Sequence, residues 1–380
     1  MAERISFSAG QDACAWLDSL GGYRNPEKVA ALKGASAHEV AVGPVHAGVI
    51  EPGHFRFQCM GEDVYNLQIF LGYQHRGVED AIVSADGNPA RQTALAETCA
   101  GDTSAAAATA FAELMECAFP SLYPAPNGES LRIRNLLVEL ERVANHVGDL
   151  GALAGDVAFL QTASFCGRIR GEYLNMTALL CGNRFGRNAI IPGGIRISPS
   201  DSAYAQIKEW IARVKPELDR ALALMFDEHS ACDRFDGTGK VSKEIARSIP
   251  LVGVARRASE EFNGDVMARA LVRRIEINEA HEKIGALLDN SHSFAPLSPS
   301  AADKPDSRDF FCVKAETPAW RGPLIHAAAF SPEGKMLRYK IVDPSAFNWH
   351  GLAWALRGEQ ISNFPICNKS FNLSYCGTDR

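Results

Sequence analysis

Two stretches at opposite ends of the chain decide how it is read. One is Gly72-Tyr73-Gln74-His75-Arg76-Gly77-Val78-Glu79; the other is Asn368-Lys369-Ser370-Phe371-Asn372-Leu373-Ser374-Tyr375-Cys376-Gly377-Thr378-Asp379-Arg380. The first reads as a strand ending at Gly72-Tyr73, followed by a helix start where a basic pair stands beside an acid. His75 has an ordinary titration range near neutrality, Arg76 stays charged, and Glu79 lies one helical turn from both. On spacing alone such a cluster is most often a solvated ion pair at a strand-to-helix junction.

Outward from the first stretch, residues 1–38 are weakly patterned and read as a short helical lead-in. From His38 to Tyr73 the pattern is β-like. The runs Val40-Ala41-Val42, Phe55–Met60 and Val64–Phe70 alternate in places, and Gly61-Glu62-Asp63 reads as a hairpin turn. Helices dominate residues 89–290. Residues 91–118 are Ala-rich and predict one long helix with a weak point at Gly101. Over 129–150, Leu136, Leu137, Leu140, Val143, Ala144 and Val147 recur at helical spacing, with Glu139 and Arg142 placed to pair on the wetter side. Further helices are expected over 155–181, 201–228 and 265–289. After a Pro- and Ser-rich linker at 295–308, strands are expected over 309–316, 322–330 and 336–342, with a turn at Pro332–Lys335. A last helix follows from Asp343 to about Arg357, with Asp343 or Ser345 available as its cap. The fold class is α+β and mainly α: a long-helix bundle with small antiparallel sheets from both ends. Residues 39–380 read as one domain, made of the 39–75 sheet, the 89–290 bundle and the 309–380 sheet with its C-terminal segment.

Bulk properties narrow the function. A chain of 380 residues with 46% hydrophobic and 22% charged residues has enough apolar material for a sizeable core. A net charge of −6 argues against a nucleic-acid partner, because phosphate binding needs clustered Lys and Arg. No secretory h-region follows Met1, and no apolar run reaches the roughly 20 residues a membrane-spanning helix needs. Ten cysteines without repeated spacing suggest reduced thiols in the cytoplasm. No Cys-x-x-Cys occurs, so neither a zinc ribbon nor a ferredoxin-like cluster motif is expected.

The two end motifs, taken with others between them, resemble those of nickel–iron hydrogenase large subunits and of the homologous 49 kDa component of complex I. The likeness is greatest to the membrane-bound, energy-converting branch. Leu140-Glu141-Arg142-Val143-Ala144-Asn145-His146 resembles the family's Glu-Arg-x-x-Asn-His helix. Cys181-Gly182-Asn183-Arg184-Phe185 with Pro192-Gly193-Gly194-Ile195-Arg196 resembles its Gly-Asn-Arg…Pro-Gly-Gly segment. Asp343–Trp349 resembles the approach to its last helix. The likeness covers residues 40–380 in order. In that family the His-Arg-Gly-x-Glu stretch lies close to the buried centre, and the counterpart of Glu79 relays protons.

The resemblance also implies four thiolates, from two Cys-x-x-Cys motifs, holding nickel beside iron. Here the first motif maps to Cys99-Ala100-Gly101-Asp102, which keeps one cysteine and has Glu97 where an Arg is usual. The second maps to Ser374 and Gly377. Sliding the register by one puts Cys376 on one position and Leu373 on the other. The quinone-binding branch is matched no better: its first loop His is kept as His46, but the second falls on Ile50, His54 is offset by four residues, and its Tyr falls within Ala105–Ala107.

Alternatives stay open at individual residues. Cys99 and Asp102, one turn apart on the expected helix, are two ligands, too few for a metal. Arg321-Gly322-Pro323 resembles the family's Arg-Gly-Glu, and its Arg either lines the central cavity or anchors a carboxylate across the sheet. His146 reads as a satisfied interhelical histidine. Gly193-Gly194 lacks the Lys-Ser/Thr of a phosphate loop, and Asp233–Gly239 lacks calcium-loop spacing.

The expectation is therefore a hydrogenase-like oxidoreductase component, similar to component D of NADH–quinone oxidoreductase and active only within a complex. Its cavity would be lined by His75, Arg76, Glu79, Asp102 and Arg321, with His46 and Cys99 facing the acceptor. No cofactor is expected on this chain itself, and nickel–iron is argued against. The resemblance implies a small Fe–S partner (component B-like) with a [4Fe–4S] cluster, and component C-like and ferredoxin-like partners. It also implies a membrane partner (component H-like) and antiporter-like subunits, and a peripheral position on the cytoplasmic face of the cell membrane. Quinone and NAD binding come with the likeness to NADH–quinone oxidoreductase. A true hydrogenase and a non-catalytic scaffold are the rival readings.

Overall fold

The alternating runs do form strands, and the computed structural model, which describes residues 2–47, 49–289 and 309–380, places them in three antiparallel sheets. In chain order the strands are β1 (Ala2–Phe7), β2 (Ala37–Val42), β3 (His54–Met60), β4 (Asp63–Phe70), β5 (Ile190–Ile191), β6 (Gly194–Ile195), β7 (Phe310–Ala319), β8 (Gly322–Phe330) and β9 (Met336–Val342). β2, β3 and β4 form the expected N-terminal sheet, with Gly61 at φ +62° in the β3–β4 turn. β1 corrects the lead-in reading. It pairs antiparallel with β7, Ala2 opposite Ala315, at the edge of the sheet β1-β7-β8-β9. A six-residue run has too little pattern to announce itself; a partner far along the chain makes it a strand.

The helices are α1 (Gly10–Ser19), α2 (Val78–Ser84), α3 (Pro89–Ala96), α4 (Ser104–Ala118), α5 (Gly128–Asp156), α6 (Leu160–Cys181), α7 (Asp201–Phe226), α8 (His229–Phe235), α9 (Lys243–Ser248), α10 (Gly253–Glu261), α11 (Val266–Leu288), α12 (Ser345–Ala355), α13 (Phe364–Phe371) and α14 (Tyr375–Asp379). The single helix expected over 91–118 is two. The chain leaves α3 after Ala96, turns through Cys99–Thr103 and restarts at Ser104. Cys99 and Asp102 therefore sit on a turn rather than on a helix, and this break creates the site described below. The linker expected over 295–308 lies outside the described residues.

α5 is the central post. Asn127 caps it by accepting from Ser130 N at 2.8 Å, and α4, α6, α11 and α13 pack around it. Because α11 covers one flank, the Glu139–Arg142 pair, formed at 3.0 Å, is buried rather than on a wet face. One continuous core joins the bundle to the inner faces of both larger sheets. Phe55, Phe57, Trp349, Phe364 and Tyr375 clasp the N-terminal sheet to the C-terminal helices, with ring centroids 4.9–6.4 Å apart. Each such fully buried ring contributes on the order of 1.5–3 kcal/mol. That clasp brings the two end motifs together.

Candidate functional site where the two end motifs meet

The loop after β4 and the C-terminal segment are hydrogen-bonded residue by residue. Asp379 accepts from Gly72 N and Gln74 N, both at 2.8 Å, and its carbonyl accepts from His75 Nδ1 at 2.8 Å. Arg76 N donates to Arg380 O at 3.0 Å, and Arg76 Nη1 and Nη2 donate to Thr98 O and Cys99 O at 2.8 Å. Glu79 accepts from Ile341 N at 2.7 Å and pairs with Arg380 at 3.2 Å. His75 and Arg76 thus act on backbone carbonyls, and both residues stay exposed. Glu79 is half-buried, tied to β9 and the C-terminal arginine.

Behind this seam lies a carboxylate–guanidinium clamp. Arg321 projects from the two-residue Trp320-Arg321 turn joining β7 to β8. It donates from Nη1 and Nη2 to the two oxygens of Asp102 at 2.9 and 2.7 Å, and from Nε to Asn372 O at 2.7 Å. The turn rests on Gly253 so closely that a Cβ there would stand 2.1 Å from Arg321 O; only glycine fits. Thr103 donates a further hydrogen bond to Asp102 Oδ1 at 3.0 Å. Burial opposes ionisation of Asp102, but the Arg321 charge and these bonds hold its carboxyl below the usual range. Of the two readings left open for Arg321, the structure shows the anchoring of a carboxylate, that of Asp102.

Of the four positions that the resemblance marks for thiolates, Cys99 alone has a thiol. It is buried, and burial first, then Asp343 and Cys376, push its titration up. Both Asp102 oxygens are taken by Arg321. Ser374 Oγ accepts from Gly377 N at 2.9 Å as the cap of α14. At Gly377 there is no room for a side chain, since a Cβ would lie 2.6 Å from Asp343 Oδ2. Among the described residues, no group of three or more His, Cys, Asp or Glu is arranged to hold a metal ion.

The Glu-Arg-x-x-Asn-His stretch of α5 has a physical role at each residue. Glu141 accepts from Ala105 N at 2.7 Å and Ala106 N at 3.3 Å, serving the exposed amides at the start of α4. Arg142 donates to Pro318 O and Ala319 O at 2.6 and 3.2 Å, fixing the β7–β8 turn. Asn145 donates to Asp102 O at 2.7 Å. His146 Nε2 pairs with Glu276 at 2.8 Å across to α11, the interhelical role read from its sequence, but its Nδ1 is buried without a hydrogen-bond partner, so it is only half satisfied. Four side chains of one helix hold α4, the clamp and the sheet in register.

Three carboxyls around the clamp fall outside the expected site residues. Glu51 accepts from Cys376 N at 3.3 Å, and burial raises its titration against the pull of that bond and of Arg321. Asp343 is raised by burial, although it accepts from Ser345 N, the first residue of α12, at 2.8 Å. Glu141 is pushed by burial up to about 8 despite its two backbone donors. Glu51 sits in the Pro-Gly loop before β3, and Asp343 and Glu141 belong to stretches that carry the resemblance, but none of the three is singled out there as a site residue. Among the expected site residues, Cys99, Asp102 and Arg321 converge on the clamp. His75, Arg76 and Glu79 form its seam with the C-terminal segment. His46 lies on the exposed loop before β3. On the far side of Trp320 a second cavity of about 360 Å³ is lined by Arg142, Glu276, Glu316 and Trp320.

Comparison with known proteins agrees with this architecture. Residues 156–262 match the family described as respiratory-chain NADH dehydrogenase, 49 Kd subunit. Over 355 residues the chain is 27% identical to hydrogenase-4 component G of Escherichia coli (strain K12), covering 91% of this chain and 62% of that protein. Over 366 residues it is 28% identical to formate hydrogenlyase subunit 5 of the same strain, covering 90% and 63%. It spans less than two thirds of the length of both. NADH-quinone oxidoreductase subunit 4 of Thermus thermophilus is 24% identical over 387 residues, covering 89% of this chain and 93% of its own. Among solved structures, a chain of an archaeal respiratory membrane complex, the membrane-bound sulfane sulfur reductase, superposes with a TM-score of 0.75 at 21% identity. The overlap covers 91% of this chain and 99% of that one.

Proposed function

We propose that this chain, a member of the superfamily that unites hydrogenase large subunits with the 49 kDa subunit of respiratory NADH dehydrogenases, is the large, 49 kDa-like component of a membrane-associated, multisubunit redox complex that works without a nickel–iron centre. The observation that carries this reading is the Asp102–Arg321 clamp, with both Asp102 oxygens bonded to Arg321 at 2.9 and 2.7 Å. It stands at one position that the resemblance marks for a thiolate, while Gly377 supplies no donor at another. One soft thiol cannot hold a nickel–iron pair, so the donor set does not fit it.

In this reading, electrons reach the site from a [4Fe–4S] cluster on a small partner and pass to a quinone-like acceptor, or their arrival is coupled to ion movement in membrane partners. The relatives named as NADH-quinone oxidoreductase subunits support that class of acceptor. Among the described residues no helix is long and apolar enough to cross a membrane, which suits a peripheral position held by other subunits. The chain's own contribution is protonic. Arg321 stays charged and fixes Asp102 as an anion. Glu51, Asp343 and Glu141, all raised by burial, are groups able to keep a proton closer to neutral pH. Such groups supply protons when an acceptor beside them gains negative charge.

The test is to purify the intact complex through a tag on this chain, assay nickel and iron, and measure quinone-dependent turnover. Expected is iron only at the level of partner clusters, and turnover that falls at least ~10-fold in Asp102→Asn and Glu79→Gln. Stoichiometric nickel on this subunit would overturn the reading. Unchanged turnover in both variants would reassign the chain to a scaffold.

A further inference from the structure

The first turns of α11 bury two arginines one turn apart, Arg269 and Arg273, each 1% exposed. Buried charges are ordinarily matched by an opposite charge in contact. Arg273 obeys, donating to Asp149 at 2.8 Å, and Arg321 has Asp102. Arg269 differs. Its Nε donates to Ser370 Oγ at 2.9 Å, Nη1 to Gly264 O at 2.8 Å and Nη2 to Gly239 O at 3.0 Å, all uncharged oxygens. Its guanidinium lies 4.2 Å from the centre of the Phe371 ring.

Acids act on Arg269 only through space. Asp265 is occupied with Gly237 N, Ala268 N and Asn263 Nδ2, and Glu359 with Gly239 N and Asn363 Nδ2. Burial, despite those acids, lowers the guanidinium to about 10.

Arg269, Arg273 and Arg321 together line one cavity of about 10 Å³, closed by Trp320, Asn348, Ser370 and Phe371. Every lining residue is buried. The volume suits one body of water size, which needs roughly 10–15 Å³ by this measure. The polar wall is rich in donors. Each guanidinium carries about five N–H groups; Arg269, Arg273 and Arg321 each place three on protein oxygens, which leaves about two apiece, while the acceptor atoms of Asn348 and Ser370 already take Val252 N and Arg269 Nε. A water there must also place its own hydrogens on acceptors; a monatomic anion has none to place.

We propose that this cavity binds a single small inorganic anion of the halide class, held chiefly by Arg269 with Arg273 and Arg321. Chloride is the physiological candidate by size and charge. The bound ion neutralises Arg269 and ties α11, α13 and the Trp320-Arg321 turn into one unit. It shares Arg321 with the clamp and stands independently of the redox reading.

Two measurements on the full chain in its complex decide the matter. Crystals or grids prepared in sodium bromide, after exchange out of chloride into gluconate, are expected to show one bromide beside Arg269 by anomalous diffraction or density. Thermal unfolding is expected to rise saturably with chloride or bromide, but not with gluconate at equal ionic strength. The halide concentration for half-maximal effect should move at least ~10-fold upward in Arg269→Lys, and the effect should vanish in Arg269→Gln. If Arg269→Gln does not fold, the wild-type bromide map decides alone. A cavity holding only water in bromide, or a stability rise that is equal in gluconate and unsaturated, overturns the proposal.

Discussion

The surroundings of the clamp and the seam between α5 and α11 use the same residue types to opposite ends. Along the seam, acids and bases are matched. Glu276 faces His146 at 2.8 Å, Arg257 at 3.3 Å and Arg142 at 3.7 Å, and Asp149 faces Arg273 at 2.8 Å. Burial pushes Glu276 up, but the His146 bond and then the neighbouring charges pull it down to about 2. Around the clamp, Glu51, Asp102 and Asp343 feel Arg321 and Glu141 feels Arg142, yet all but Asp102 are raised. A matched set of charges holds structure; a surplus of acids holds protons. Burial is common to both regions; the number of opposite charges in contact with each acid is what differs between them.

The largest expected effect breaks the matched side. Asp149→Ala strands Arg273 in the core and frees Asn372, whose amide it also accepts, so a loss of about 3–5 kcal/mol is expected in denaturant unfolding. Asp102→Ala is expected to cost less, about 1–3 kcal/mol, because the Asp102 side chain is 34% exposed and water can reach the stranded Arg321. Equal costs would remove the distinction.

Gly377→Cys sharpens the comparison from the other side. Its new Cβ meets Asp343 Oδ2 at 2.6 Å, so a destabilisation of about 1–3 kcal/mol is expected. The thermal midpoint should drop, with no gain of bound nickel by elemental analysis.

pH separates the two regions by sign. Glu276 has a folded value below its unfolded one, so its contribution is complete above the ordinary carboxylate range and fades as pH falls toward about 2. Glu141 has the reverse shift. The folded state binds its proton more tightly, so stability falls as pH rises from the ordinary carboxylate range to about 8. Unfolding measured from about pH 2 to 9 should lose the acid-side slope in Glu276→Gln and flatten on the neutral side in Glu141→Gln. The smallest effect belongs to the solvated pair Arg168–Glu217. Arg168→Ala should change stability by about 0–1 kcal/mol.

Much of the frame is legible in the sequence. α5 follows the apolar spacing, α6, α7 and α11 fall within stretches expected to be helical, and the β3–β4 hairpin follows Gly61; the cap expected from Asp343 or Ser345 is not formed, since Pro344 stands at the N-cap of α12. The helix break at Cys99–Thr103 is partly legible: Gly101 marks the weak point, but Ala-rich sequence on both sides favours a helix, and the contacts from Arg321, Asn145 and Glu141 that hold the turn come from remote segments. β1 escapes the sequence for the same reason: its partner is remote. The acids Glu51, Asp343 and Glu141 gather from a loop, the approach to α12 and the α5 motif, and no single window of sequence holds two of them.

The order of residues by itself determined the helix periods, the turn glycines, the motif order and the absence of cysteine from Asp102, Ser374 and Gly377. These are properties of neighbours along the chain. Which charges are buried together, and in what ratio, was decided only when the aromatic clasp brought Glu51, Asp102, Arg321 and Asp343 to one place. Electrostatics depends on distance through space and on exclusion of water, and neither is written in sequence separation.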